Sequence, residues 1–231
     1  MTATTQGPPA LPREVRELAA RAGATGGGLL STVTLRQRGI MRDPPAGRKM
    51  RFRALQRINL RSCEFEWRAS TGPFGCISVL DALQGEEAAL EVRVFRRLRI
   101  AGVRGGAAAA KGEIMRYLAE LAWAPDAILG NPTLAWRVID ARRLRVSAGD
   151  GDACGEVELR LDESGRIASI AARDRPRMEG GGFVERPWRG HFFDYRQHQN
   201  RWLPFSGEVG WVLGEQTVTA WRGEILDWNI A

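Results

Sequence analysis

Lysine is almost missing from this 231-residue chain. Lys49 and Lys111 leave 32 of its 34 basic residues to arginine. Cysteine occurs three times, and Cys63, Cys76 and Cys154 have neither CxxC spacing nor histidines close in sequence. That pattern argues against a zinc centre or a redox pair, and an odd count suits a reducing compartment; no metal and no cofactor are expected. No apolar run approaches the ~20 residues needed to span a bilayer. The opening MTATTQGPPALPREV lacks the basic start and apolar core of a secretory signal, so the expected location is cytoplasmic. The GxSxG, HExxH, GxGxxG and calcium-loop patterns are absent too. Gly105–Gly112 superficially resembles a phosphate-binding loop, but Ala110 and Gly112 flank Lys111 where glycine and a hydroxyl residue are required. Most large enzyme families are thereby disfavoured.

What is present is the composition of a globular protein able to bury a core, 44% hydrophobic and 26% charged. The net charge of +7 is uneven: residues 1–150 carry 24 basic and 14 acidic side chains, +10, and residues 151–231 carry 10 and 13, −3. Nine basic residues between Arg36 and Arg61 face one acid, Asp43. Such a stripe could track phosphates on a nucleic acid or an anionic membrane surface. Against that, Glu64 and Glu66 on the next strand are placed for cross-strand ion pairs, and no base-reading motif accompanies the stripe. No specific nucleic-acid partner is expected.

Residues 1–11 are small, polar and proline-bearing, and are expected to be disordered; residues 12–231 read as one domain. Pro12 to Ala22 predicts a short helix stopped by Gly23. Beyond Gly26-Gly27-Gly28 the period becomes two. Val33 and Leu35, then Phe52, Ala54, Ile58 and Leu60, then Phe65, Trp67 and Ala69 alternate with polar residues, as in half-buried antiparallel strands. Further strands are expected at 77–83, 88–100, 136–139, 142–146, 156–161, 167–172, 189–196, 203–213 and 216–227. The pattern of Ile114, Leu118 and Leu121 predicts a helix over 107–123, ended by Pro125, with a helical turn at 126–129. Residues 173–187, with glycines at 180–182, read as a long surface loop. The expected fold class is α+β, mostly antiparallel: a sheet of about ten strands curled into a half-barrel, with the central helix over its concave face. A hollow between sheet and helix 109–123 is a natural ligand site.

Glu113, Arg116, Tyr117 and Glu120 share one helical face. They could offer an arginine and a phenol to an anionic head group, with the two carboxylates as proton carriers; a solvated face of ion pairs is the plain alternative. The cluster Trp188-Arg189-Gly190-His191-Phe192-Phe193-Asp194-Tyr195-Arg196 adds His191 and Asp194 as acid–base candidates, while His198 reads as a solvated turn residue. Alternation puts His191, Phe193 and Tyr195 on one face of that strand. Eight tryptophans are many for this length. Most are expected to pack the core and a minority to line a pocket.

The order of elements resembles an uncharacterised bacterial family designated a domain of unknown function. The resemblance rests on Gln37-Arg-Gly-Ile-Met41, Phe65-Glu-Trp67-Arg-Ala69 and the helix block Gly112-Glu-Ile-Met-Arg116-Tyr117-Leu-Ala-Glu120-Leu-Ala-Trp123-Ala-Pro125. It continues through Trp136, Asp140, Trp188-Arg-Gly190, Asp194-Tyr195-Arg196, Pro204 and Glu208-Val-Gly-Trp211. It implies a fold like the curved half-barrels of bacterial lipoprotein carriers and brings no established activity. Those carriers are exported, so lipoprotein transport is not expected of a chain read as cytoplasmic. The expected function is binding of a small hydrophobic or amphipathic ligand, with contacts from Arg116, Tyr117, Trp123, Arg189 and Tyr195. The alternatives are an enzyme using Glu113, Glu120, His191 or Asp194 for proton transfer, and surface binding through the 36–61 stripe.

Overall fold

The computed structural model describes residues 10–26, 28, 30–42 and 47–231. Residues 1–9 of the segment expected to be disordered, Gly27 of the glycine run, and Asp43 of the basic stretch lie outside the described residues. Helix α1 (Arg13–Ala22) buries Val15, Leu18, Ala19 and Ala22 and ends at Gly23, whose φ of 76° supplies the left-handed cap.

Six strands follow: β1 (Thr32–Met41), β2 (Met50–Asn59), β3 (Phe65–Thr71), β4 (Ile77–Gln84), β5 (Glu87–Val94) and β6 (Leu98–Arg104). Helix α2 (Ala107–Ala119), a 3-10 turn (Glu120–Ala122) and the short α3 (Ala127–Gly130) come next. Seven more strands complete the chain: β7 (Ala135–Asp140), β8 (Arg143–Ala148), β9 (Gly155–Leu161), β10 (Ile167–Glu179), β11 (Gly182–His198), β12 (Arg201–Leu213) and β13 (Gln216–Ile230). The described residues thus form thirteen strands where about ten were expected. All thirteen belong to one antiparallel sheet, in the order β6-β5-β4-β3-β2-β1-β13-β12-β11-β10-β9-β8-β7.

Two meanders meet where β1 pairs with β13, so β6 and β7 become the two edges of the sheet. The segment joining them must therefore run from edge to edge. It does so on the concave side: α2 packs on β4 and β5 of one meander and on β8 to β11 of the other. One contiguous core results, in which Met115, Leu118 and Leu121 meet the inward side chains of both meanders. Register shifts at Arg36/Gln37, Ala172/Arg175 and Val209/Gly210 bend the long strands and increase their twist.

Two sequence expectations are corrected here. The run 88–100 is two strands, because the chain reverses at Phe95 and Arg96, whose φ values are 49° and 59°. No Gly, Pro, Asn or Asp marks that turn, so nothing in the local chemistry announced it. The stretch 173–187 is the end of β10 and the start of β11, joined by a turn at Gly180-Gly181. Pro187 cannot donate to a ladder, and the β10 irregularity between Ala172 and Arg175 lies opposite it, between the pairs Ala172–Trp188 and Arg175–Arg186.

Candidate ligand-binding site

A row of glycines creates the space for the site. Gly39 of β1, Gly223 of β13 and Gly207 of β12 are consecutive partners across three strands. A β-carbon on Gly223 would sit 2.5 Å from the Trp221 ring, and one on Gly207 would sit 3.2 Å from the Trp123 ring. The indoles occupy the volume that side chains would otherwise fill. Trp123 meets Phe192 edge-on at 5.2 Å and Trp221 at 5.9 Å, and Trp221 stacks on Phe52 at 5.9 Å. Over this aromatic surface lies a partly open cavity of about 260 Å³ between sheet and α2. Five of the eight tryptophans, Trp67, Trp123, Trp188, Trp211 and Trp221, line it, so the share given to the cavity exceeds the minority expected. Met41, Val79, Leu90 and Ala119 add apolar wall.

One wall is polar and buried. Trp67 Nε1 donates to Gln37 Oε1 at 2.8 Å, Gln37 Nε2 donates to Gln56 Oε1 at 3.0 Å, and Gln56 Nε2 donates to Glu120 Oε2. Arg116 closes the chain. Its Nε donates to Glu120 Oε1 at 3.0 Å, its Nη1 donates to Asp81 Oδ2, and its guanidinium lies 4.7 Å from the Phe65 ring centroid. Burial pushes the Glu120 carboxyl up; Arg116 and Gln56 oppose that shift without reversing it. Glu113 sits one turn before Arg116 on α2. Burial, and then the nearby Asp81 charge, lift its carboxyl to about 8, and its Oε2 has no hydrogen-bond partner.

Arg175 of β10 enters the cavity from the other meander and lies against the same helix that carries Arg116. The strand irregularity before it changes the alternation, turning this side chain inward. Its guanidinium lies 4.4 Å from the Trp188 ring centroid and 5.4 Å from that of Trp211, and its Nε donates to Gly112 O at 3.2 Å.

The residues singled out from sequence fall into three groups. Arg116, Glu120 and Trp123 line the cavity, and Glu113 lies buried beside it. Tyr117 lies away from the lining: its hydroxyl donates to Asn59 O at 2.8 Å and accepts from Asn131 Nδ2 at 3.1 Å, pinning α2 to the end of β2. Burial raises its phenol well above the ordinary range. Tyr195 likewise ties β11 to β10 by donating to Ile167 O at 2.7 Å. Arg189 and His191 are exposed and lie outside the cavity lining; His191 stacks on Phe193. Asp194 has a left-handed backbone, φ 55°, that interrupts the expected alternation and leaves its carboxylate exposed beside Arg196. The acid–base reading therefore keeps only the two glutamates in the cavity region. His198 is half-buried rather than solvated, with Nε2 3.0 Å from Trp228 O.

The strand arginines of the basic stretch, Arg36, Arg38, Arg51, Arg53 and Arg57, are exposed on the face of the sheet away from the core. Arg36 pairs with Asp227 at 3.3 Å and Arg38 with Glu224 at 2.8 Å; Arg57 stands opposite Glu66, which is held by Arg68 at 2.6 Å. Among the described residues no group of three or more His, Cys, Asp or Glu is placed to hold a metal, and no helix is long and apolar enough to cross a membrane.

Sequence reasoning missed Gln37, Gln56, Asp81 and Arg175. The first three carry a readable signal: each is a polar residue in phase with apolar neighbours, as Gln56 is between Ala54 and Ile58, and Asp81 between Val79 and Leu83.

A curved antiparallel sheet closed by a helix over an aromatic hollow defines the class: this is a half-barrel with an internal cavity. The chain belongs to the family of unknown function DUF6544, which matches residues 2–223. No curated protein matches it. Among solved structures, a domain assigned as an outer membrane lipoprotein-sorting protein from Vibrio parahaemolyticus is similar, with a TM-score of 0.52 and 10% identity over 94% of this chain and 91% of the other. A LolA superfamily protein from Nitrosomonas europaea aligns with a TM-score of 0.47 and 10% identity over 93% and 91% of the two chains. The likeness to the Vibrio parahaemolyticus domain is one of fold.

Proposed function

We propose that the protein binds a small hydrophobic or amphipathic molecule in the cavity between the curved sheet and α2. The observation that carries this reading is the cavity itself. Its roughly 260 Å³ are lined by five indoles and several aliphatic side chains, with convergent polar groups along one wall. The volume lies just below the ~300–1,000 Å³ of common small-molecule sites, which favours a compact ligand or one end of a longer one. The half-barrel fold shared with the Vibrio parahaemolyticus domain fits a binding role and does not specify the ligand.

The test is native mass spectrometry of protein purified without detergent, joined to titration of tryptophan emission with eight-carbon alkyl compounds. A saturable change is expected for the natural sequence. Val79→Trp, which fills the cavity wall, should abolish it while leaving the circular dichroism spectrum intact. Absence of any saturable response in the natural sequence would overturn the proposal.

A further inference from the structure

The two arginines of the cavity differ in how they are satisfied. Arg116 is committed to two carboxylates, Asp81 and Glu120, and is four-fifths or more buried with them. Arg175 has no ion pair among the described residues: its hydrogen bond there goes from Nε to the Gly112 carbonyl, and its guanidinium lies over the faces of Trp188 and Trp211. That leaves both terminal nitrogens of a guanidinium fork without a protein acceptor, in a hollow walled by indoles. Such a fork matches the geometry of a carboxylate or phosphate and binds it through two parallel, charge-assisted bonds. Arg175 is half-buried, and a cation partly withdrawn from water is stabilised by a counter-ion close by.

We propose that Arg175 anchors an anionic head group, a carboxylate or phosphate, on the molecule that occupies this cavity. The proposal rests on the cavity reading above and names the class of ligand. The indoles and Val79, Leu90 and Met41 then take the apolar part. The groups facing Arg175 allow this. Asp81 and Glu120 are held by Arg116, and Glu113, lifted to about 8 by burial and by Asp81, is mostly protonated at neutral pH. Burial also draws the Arg175 guanidinium below its ordinary value, the mark of a cation short of compensation.

The experiment compares octanoate, octyl phosphate and octan-1-ol by calorimetric titration at pH 7, so that only the head group changes. One of the two anions should bind at least about tenfold more tightly than the alcohol. Whichever binds tighter tells carboxylate from phosphate. In Arg175→Met, which retains an apolar stem against the tryptophans, the anion-to-alcohol ratio should fall toward one. Arg175→Lys, with charge but no fork, should give an intermediate ratio, and Arg189→Met on the outer face should retain the full preference. Thermal melts identify any variant that fails to fold. Equal affinity of the natural sequence for anions and alcohol would overturn the head-group proposal while the cavity reading stands. Binding of none of the three would overturn both, and an undiminished preference in Arg175→Met would overturn the assignment to this arginine.

Discussion

Replacing Arg201 by Met should be one of the most damaging single changes outside the cavity. Asp126, just before α3, and Arg201, at the start of β12, are 4% and 9% exposed at their side chains. Arg201 Nε and Nη2 each donate to Asp126 at 2.8 Å, while Thr25 adds its N–H at 3.0 Å and its hydroxyl at 2.8 Å. The carboxylate thus receives four bonds and ties three distant segments together. Arg201→Met keeps the aliphatic stem but leaves Asp126 buried with only the Thr25 donors. Breaking a buried pair in this way costs about 3–5 kcal/mol. At roughly 2–4 °C per kcal/mol for a chain of this size, Tm should drop by about 6–20 °C. Arg201→Met with Asp126→Leu, which removes both charges, should recover part of the loss, a coupling of about 1–3 kcal/mol. Burial pushes the Asp126 carboxyl up, but the bonds from Arg201 and Thr25 outweigh it and hold the group below its ordinary range. Its contribution is therefore complete above the unfolded value of about 3.9 and fades as pH falls through the lower folded value. Urea unfolding followed by tryptophan emission from pH 7 to pH 2 measures both effects. A cost under about 1 kcal/mol at pH 7, or a gap to the double variant that persists unchanged into strong acid, refutes the reasoning.

Glu113 should give the opposite pH dependence. With its carboxyl raised to about 8 in the folded chain, its neutral form favours folding below the unfolded value near 4.3, and that advantage is lost as pH rises through 8. Glu113→Gln should therefore unfold at nearly the natural temperature at pH 5 and at a higher one at pH 9, and equal Tm differences at the two pH values would show that the group is already ionised. Gly223→Ala should cost about 1–3 kcal/mol, because its β-carbon falls 2.5 Å from the Trp221 ring. The loss should shrink when Trp221 is also made Leu, and purely additive urea midpoints would point to backbone strain instead.

Segments with a run of alternating apolar residues were legible in the sequence. Val33 and Leu35, Phe65 to Ala69, and the hairpin at Asp162–Gly165 fall where period and turn chemistry put them. What stayed hidden has local physical causes. The turn at Phe95-Arg96 uses left-handed backbone without glycine, and β10–β11 carries Pro176, Pro187 and four arginines in a stretch that imitates a loop by composition. The prolines are tolerated because one stands opposite an irregularity and the other pairs at the outer end of the hairpin, near the Gly180-Gly181 turn. Tyr117 and Tyr195 looked like ligand contacts because a tyrosine is both apolar and polar. Each spends its hydroxyl on a main-chain carbonyl, a tether that sequence spacing does not show.

The polar wall of the cavity turns one of these failures into a rule for this fold. Gln37, Gln56 and Asp81 each break an otherwise apolar inward phase, on three different strands, and Glu120 and Arg116 do the same on the helix that faces them. A buried ion cluster of this kind adds little or nothing to stability over well-packed apolar residues of the same volume. The core of this protein has indoles in abundance to fill such space, so stability alone does not explain the network. It does hold Arg116 satisfied by two carboxylates, which leaves Arg175, bonded to Gly112 of the same helix, as the cavity arginine without an ion pair among the described residues. If the proposed ligand binds here, the out-of-phase residues would be the rigid half of its site, and substitutions among Gln37, Gln56 and Asp81 should alter ligand preference more than they alter the fold.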